Sequence, residues 1–421
     1  MKAQTEQDSS QNIKVVDVAI VGGAMAGATL ALGLRKLAKD LQRPLKIALI
    51  EAHRPDDRHP GFDARSIAVA HGSIFELNRL GIWPKIAHLG TPIENIHISD
   101  RGHFGMTELN ADDFDIKHLG QVIELEPVGQ VLFKQIAATD IELYCPAKLA
   151  SVEALPDTQL LTLDDGTQLS TSLLVAADGV NSKVRQAFKQ PLEQVDFDQV
   201  AIIANIEVAN EKTGKAHENW AFERFTDSGP LAILPMAKSK GVNRVSLVWA
   251  LRPDDAERLM TVPKEAFLAE LQQAFGYRAG QFTGVGERHS YPLQLSHMPR
   301  PIYHRTVFIG NAAQTLHPIA GQGFNLGLRD LVSLLDVLKQ SIESKAADEL
   351  DLGSADVIHR YLQSRETDRT TTMTNIEFLV RGFSNNYWPL VVGRSLALRL
   401  LSWLPPLKTP IARSAMGWRS S

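Results

Sequence analysis

A chain of 421 residues with 44% hydrophobic and 22% charged residues is long enough for roughly two or three hydrophobic cores and too apolar to remain disordered. Its 44 Lys and Arg against 48 Asp and Glu leave a formal net charge of −4, so no basic field draws nucleic acid. A single cysteine, Cys145, excludes an intramolecular disulfide, a dithiol redox pair and a thiolate metal cluster.

Met1 to Ile13 is polar and lacks the apolar core of a secretory signal, so a cytoplasmic protein is expected. Val15 to Val21 is a nearly continuous apolar run, the pattern of a parallel strand buried on both faces. It leads into the turn Gly22-Gly23-Ala24-Met25-Ala26-Gly27, then into Ala28 to Leu37, whose small and aliphatic residues predict a helix packed on a sheet. A second strand-like run, Leu45 to Ile50, ends on Glu51 at the spacing of a βαβ unit.

Thr158 to Leu163 and Thr167 to Leu173 flank Asp164-Asp165-Gly166, which predicts a hairpin because Asp-Gly tolerates the positive φ of a tight turn. The second strand continues to Ala177 and stops at Asp178-Gly179. Val200 to Val208, Asn219 to Thr226, Leu231 to Met236 and Val242 to Trp249 read as strands of a separate, mostly antiparallel unit. Thr306 to Ile309 is another buried strand, followed by Gly310-Asn311 and a glycine-bearing loop from His317 to Gly323. The leucine spacing predicts a helix from near Phe324 through Leu338, and helical texture persists to the C-terminus.

The turn at Gly22 matches the dinucleotide fingerprint G-x-G-x-x-G at its first and third glycines, with Ala24 at the second. Alone, such a turn is as often structural; the preceding strand, the following helix and the acid Glu51 together point to a dinucleotide. The Glu51 carboxylate suits hydrogen bonds from the adenosine ribose hydroxyls and repels a 2′-phosphate. His97, His103, His118, His289, His297 and His304 fall at no metal-ligand spacing, so no metal site is expected. His317, beside Pro318 in a tight loop, reads as structural rather than as an acid or base, and Ser66 and Ser182 lack a nucleophile elbow.

Two later segments, from Ala176 through Asp178-Gly179 to Arg185 and from Gly310 through His317-Pro318 to Asp330, resemble the DG and GD motifs of the para-hydroxybenzoate hydroxylase superfamily of FAD-dependent monooxygenases. Within it, the segments His59 to Ala68, Ser99 to His103, Ala221 to Thr226, Gly229 to Ala232 with Leu234 to Met236, and Ser246 to Trp249 are similar to the UbiH-type 2-octaprenyl-6-methoxyphenol hydroxylases of ubiquinone biosynthesis. The similarity runs from about Val15 to Trp418. It implies an α/β fold, α+β in the second domain. A Rossmann-like FAD-binding domain would comprise 14–95, 121–190 and 286–345. A mostly antiparallel β-sheet substrate-binding domain would take 96–120 and 191–285, and a C-terminal helical region 346–421.

The resemblance also implies FAD as cofactor, held by Gly22, Ala24, Met25, Ala26, Gly27 and Glu51, by Arg65 near the flavin and pyrophosphate, and by Asp178 and Gly179. Gln130 is a further candidate, with an exposed helix amide as the competing reading. Gly310 and Asn311 belong to the same set, Asn311 standing where many relatives carry Asp. The loop and helix start contribute Pro318, Gly321, Gly323, Phe324 and Asn325. Backbone N–H groups at that helix start would face the electron-rich edge of reduced flavin. Pro318 and Gly321 would lie nearest the reacting oxygen, and no side chain is assigned as the catalyst.

The remaining partners implied are NAD(P)H, O2 and a polyprenylated phenol, which Trp220, Phe222, Phe225, Met236 and Trp249 could enclose, although aromatics in strands more often form core. A polyprenyl tail implies a membrane surface, reached peripherally on the inner face of the plasma membrane. Tyr387 to Trp418, with Trp388, Trp403, Arg394, Arg399, Lys408 and Arg413, has the composition of an interfacial region. Partner subunits of a biosynthetic complex and a homo-oligomer are compatible with the same resemblance. A sister hydroxylase acting at another ring position, or a non-catalytic flavin-binding subunit, shares every motif; a flavin halogenase is disfavoured by the absence of W-x-W-x-I-P.

Overall fold

Parallel strands gather the N-terminal third of the chain with segments far along it. The computed structural model describes residues 13–54, 65–103, 105–209, 218–346, 348–383 and 416–417. The first part of the His59 to Ala68 motif, and Tyr387 to Trp418 apart from Met416 and Gly417, lie outside the described residues.

In the first sheet the strands run in the order Ile302–Tyr303, Thr306–Phe308, Gln168–Ala176, Lys14–Val21, Ile47–Ile50 and Glu142–Tyr144. Lys14–Val21 pairs in parallel with both Gln168–Ala176 and Ile47–Ile50, and Thr306–Phe308 extends the parallel set. Val18–Val21, Ile47–Ile50 and Leu173–Ala176, the carboxyl halves of the central strands, are continuous apolar runs because both of their faces are covered. The helices Met25–Asp40, Leu125–Ala137 and Gln322–Ser344 share one core with Val18, Ile20, Leu49, Val175 and Val307. The expected hairpin forms between Gln159–Leu163 and Gln168–Ala176, with Gly166 at positive φ.

The second sheet is ordered Gln314–Thr315, His289–His297, Glu193–Ala209, Val242–Leu251, Gly229–Ser239, Trp220–Thr226, Asn95–Asp100 and Met106–Asn110. Its pairs are antiparallel except for Trp220–Thr226 against Asn95–Asp100, which is parallel. The second sheet runs past the sequence-based boundary at 285, because His289–His297 pairs along Glu193–Ala209 over nine register positions. Alternating polar residues in that strand mask its pairing from a reading based on apolar runs. A third small sheet joins Ser66–Ala70, Gly120–Glu124 and Gly90–Ile93 between the other two.

One face of the second sheet packs on the helices Pro253–Thr261 and Lys264–Phe275 through Phe222, Leu231, Ile233, Leu247 and Trp249. The opposite face, carrying Ala221 and Phe225, rests on the first lobe and on the C-terminal helix Ala355–Phe383. Among the described residues no helix is long and apolar enough to cross a membrane.

Candidate functional site: the carboxyl edge of the parallel sheet

Four segments leave the parallel strands at their carboxyl ends, the edge where open α/β sheets bind ligands. The first is the turn after Lys14–Val21. Gly22 has φ +101°, and a Cβ there would lie 2.4 Å from the Ala177 carbonyl oxygen and 2.8 Å from Asp178 Cα. Only glycine lets the first and third strands approach this closely. At Gly27 a Cβ would fall 1.8 Å from the Gly22 carbonyl oxygen, so the helix start is pressed onto its own turn. Ala24 caps the helix Met25–Asp40 without a side-chain hydrogen bond, and the first turn carries no acid. Its N–H groups and positive dipole end are therefore not satisfied by a cap.

The second strand delivers Glu51, which is 5% exposed. Its Oε2 accepts from the Gly23 amide at 2.5 Å and its Oε1 from the His53 amide at 2.8 Å. The acid thus lies against the glycine turn. Asp178, at the end of the third strand, accepts through Oδ2 from the Lys183 amide at 2.6 Å and the Val184 amide at 3.3 Å. Its Oδ1 is sealed from solvent with no partner among the described residues. Burial pushes the Asp178 carboxyl up, against the pull of the Ser182 hydroxyl and the local amides.

Arg185 joins this turn to the next segment by donating from Nη1 to the Ala312 carbonyl at 2.8 Å and from Nη2 to the Val180 carbonyl. Gly310 stands across from the glycine turn, where its Cβ would meet Ala26 Cβ at 3.5 Å, and a Cβ at Gly327 would meet Gly310 Cα at 3.1 Å. Asn311 beside it is exposed. The Gly310 amide donates to Asp330 Oδ2 at 3.2 Å. Asp330 is fully buried, and its Oδ1 accepts from Arg365 Nε at 2.9 Å. Arg365 also pairs with Asp368, which Arg329 holds at 2.8 Å. Burial alone lowers an arginine pKa, but the charges of Asp330 and Asp368 hold Arg365 above its ordinary value. Asp330 and Arg185 lie within the two later motifs, where local sequence assigns them no task. The acidic and basic residues of the C-terminal helix that face Asp330 were too distant to associate with it.

Past this fourth segment and the short strand Gln314–Thr315 come the loop Pro318–Gly321 and the helix Gln322–Ser344. Gly321 caps the helix at φ +61°, again without a side-chain cap, and a Cβ there would lie 3.2 Å from Ala68 Cβ. A Cβ at Gly323 would meet nothing within 4 Å. Phe324 packs against the first core. Asn325 directs its side chain inward: Oδ1 accepts from the Ala70 amide at 3.0 Å and the Ser73 hydroxyl at 2.7 Å, and Nδ2 donates to the carbonyls of Gly321 at 2.7 Å and Ala68 at 3.1 Å. Its side chain therefore shapes the loop from behind.

His317 is wholly buried. Its Nδ1 accepts from the Ile319 amide at 3.3 Å and its Nε2 meets Gln199 Oε1 of the second sheet at 3.1 Å. Burial lowers its pKa to about 4, so the ring is a neutral imidazole with the proton on Nε2. That geometry matches the structural role its position suggests.

The other candidates spread around this edge. Met25 is buried and Ala26 half-buried. Gly179 has open space at its Cβ position. The Arg65 guanidinium stacks over the Tyr291 ring at 5.6 Å, linking the start of the small sheet to the second sheet, and Gln130 is exposed on its helix. Of the aromatics expected around a substrate cavity, Trp220, Phe222 and Trp249 instead face the helices of the second lobe, where Phe222 meets Phe275 edge-on at 5.6 Å and Trp249 meets Phe267 at 6.1 Å. Strand alternation sends Phe225 to the other side, against Leu316 and Ile319.

These residues fit FAD. Two uncapped helix starts would accept anionic groups, the buried acid Glu51 lies against the glycine turn, and Asp178 keeps a sealed acceptor with no partner among the described residues. A dinucleotide edge over which an apolar sheet face closes defines the class, an FAD-dependent monooxygenase. The FAD binding domain family matches residues 15–356, and the chain belongs to it. Ubiquinone hydroxylase UbiL of Rhodospirillum rubrum is 32% identical over 414 residues, spanning 96% of this chain and 90% of that protein, so the chain is a member of the ubiquinone hydroxylase family. The 3-demethoxyubiquinol 3-hydroxylase of Escherichia coli is 29% identical across 95% of this chain and 98% of its own. The fold is shared with p-nitrophenol 4-monooxygenase PnpA of Pseudomonas putida, at a TM-score of 0.74 and 15% identity over 97% of this chain and all of that one.

Proposed function

We propose that the protein hydroxylates the aromatic ring of a polyprenylated phenol of the 2-octaprenyl-6-methoxyphenol type, using FAD, NAD(P)H and O2. The observation that carries this reading is the closure of an apolar sheet face, through Phe225, onto Leu316 and Ile319 beside the glycine-capped helix start. Junctions between two lobes are where apolar ligand sites commonly form, and exclusion of water there would suit chemistry on an aromatic ring. Relatives named as ubiquinone hydroxylase and as 3-demethoxyubiquinol 3-hydroxylase support the substrate class.

On this reading the amides from Gly22 to Gly27 hold the diphosphate, Glu51 orients the adenosine ribose, and Asp178 with Gly179 contacts the cofactor from the third strand. Asn311 replaces a carboxylate beside the diphosphate with a neutral amide, and Arg65 adds positive charge. Gln130 lies on the flavin side. Gly310, Pro318, Gly321, Gly323, Phe324 and Asn325 shape the chamber under the ring. FAD, when bound, supplies hydride acceptance and dioxygen activation. The protein binds, excludes water and orients the phenol. On this reading the FAD-binding part is 14–95, 121–190 and 286–345, its last segment lending His289–His297 to the second sheet, and the substrate lobe is 96–120 and 191–285. The enzyme works in the cytoplasm, peripherally on the inner face of the plasma membrane, where a polyprenyl tail resides.

The test is to supply purified, FAD-loaded protein with NADH or NADPH and a prenylated methoxyphenol, following cofactor oxidation and product mass. Phenol-stimulated oxidation with a product heavier by one oxygen is expected. A sister hydroxylase gives oxygen at a different ring carbon, and a non-catalytic flavin subunit gives no stimulated oxidation.

A further inference from the structure

Glu223 sits in the middle of Trp220–Thr226 on the face turned away from the helices. Strand pairing surrounds it there with apolar residues: Ile98 on one side, Ala232 on the other, and Ala221 and Phe225 two positions away along its own strand. Ala221 packs in a cluster with Ala68, whose Cβ is the nearest neighbour of the Gly321 Cβ position at 3.2 Å. Phe225 packs against Leu316 and Ile319. The carboxylate is therefore held between two patches that both rest on the loop from 316 to 321.

Its Oε1 is sealed from solvent and has no hydrogen-bond partner among the described residues. Charged groups on the surrounding elements are engaged elsewhere. Asp100 of the neighbouring strand faces His103 at 3.3 Å, and Arg244 two strands away pairs with Glu124 at 3.0 Å. On the C-terminal helix, Arg369 donates to Gln314 Oε1 at 3.0 Å and Glu377 pairs with Arg381 at 2.9 Å. Arg224, next in sequence, points to the opposite face and donates to the Phe275 carbonyl at 2.8 Å, while His317 is neutral. With no cation among the described residues to steady it, burial raises the Glu223 carboxyl to about 7. An unpaired carboxyl in an apolar setting costs stability, so a ligand that completes its hydrogen bonding explains its presence.

We propose that Glu223 receives the ring hydroxyl of the phenol and takes its proton, making it a catalytic residue of the hydroxylation. The phenol O–H bond breaks, the proton passes to Oε1, and the electron pair stays on oxygen and enriches the ring carbons ortho and para to it. Those are the positions that accept electrophilic oxygen. A base poised near neutrality is suited to this transfer. The inference rests on the hydroxylase reading above, and it supplies the side-chain role that the motifs left unassigned.

The experiment uses the full-length, FAD-loaded protein with 2-geranyl-6-methoxyphenol, comparing wild type, E223Q and E223L. The phenolate absorption of the bound phenol is read against pH, and product per NADH is measured in parallel. Wild type should show bound phenolate at neutral pH, below the ordinary phenol value of about 10. Both variants should bind the phenol in its neutral form, and product should fall about 100-fold or more while FAD content is retained. The apolar E223L relieves an unpaired carboxyl and so keeps the comparison valid if E223Q folds poorly. Phenolate in wild type and both variants alike, or neutral phenol in all three, overturns the role of Glu223. Product formation by wild type separately decides the hydroxylase reading: a wild type that binds phenolate through Glu223 yet makes no product retains the proton acceptor and loses the proposed activity.

Discussion

Glu51 Oε2 accepts the Gly23 amide hydrogen, and a Cβ on Gly23 would lie 3.0 Å from Glu51 Cβ. The acid at the end of the second strand is thus fixed against the turn at the end of the first. Hydrogen bonds to a charged group contribute about 1.5–3 kcal/mol, so Glu51→Ala should weaken FAD binding by roughly 10- to 100-fold. Glu51→Gln, which keeps one carbonyl acceptor, should lose less. Fluorescence titration of apoprotein with FAD measures both, and an unchanged Kd in Glu51→Ala would remove Glu51 from the ribose site.

Gly27 and Gly323 should separate folding from binding. A methyl at Gly27 meets the Gly22 carbonyl oxygen at 1.8 Å, an overlap expected to cost about 3 kcal/mol or more. At Gly323 a methyl meets nothing within 4 Å, and alanine favours the helix by up to about 1 kcal/mol. Urea denaturation should therefore find Gly27→Ala strongly destabilised and Gly323→Ala at least as stable as wild type. FAD affinity should fall in both, because the space at Gly323 faces the proposed cofactor edge.

Asp330 and Arg365 are both almost completely buried and 2.9 Å apart. Removing one partner strands the other, so Asp330→Ala should cost about 3–5 kcal/mol. The double variant Asp330→Leu with Arg365→Met should cost less than the sum of the single changes. Equal, additive losses in chemical denaturation would show that the two charges do not act as a pair.

His317 makes stability depend on pH. The folded ring accepts a proton only near pH 4, whereas in the unfolded chain it does so near 6.5. Between those values the unfolded state holds the extra proton, so stability is full above about pH 6.5 and declines as pH falls toward 4, by up to about 3 kcal/mol from this group. His317→Asn should flatten that part of the stability curve. His97, also held at about 4 by burial and by Arg278 and Arg224, leaves a residual slope. An unaltered curve in His317→Asn would place the pH dependence elsewhere.

Much of the fold is legible in sequence because its signals are local. The apolar run before Gly22, the Asp165-Gly166 turn and the leucine spacing of the helix ending at Ser344 each report backbone geometry within about one element. The strand His289–His297 escaped because its partner begins almost a hundred residues earlier. The inward direction of Asn325 and the outward packing of Phe222 and Trp249 were hidden for a related reason: alternation says that neighbouring strand residues part company, but not which face meets the other lobe.

By itself, the amino-acid sequence determined the strand, turn and helix that open the dinucleotide unit, the acid that follows, and the later glycine-bearing loops, since backbone sterics and side-chain period act over a few residues. Only the tertiary structure decided that Arg185 ties two of those loops, that Asp330 is neutralised from the C-terminal helix, and that Glu223 Oε1 is sealed with no partner among the described residues. Burial and electrostatic environment sum over groups brought together from distant parts of the chain, and no local pattern contains that sum.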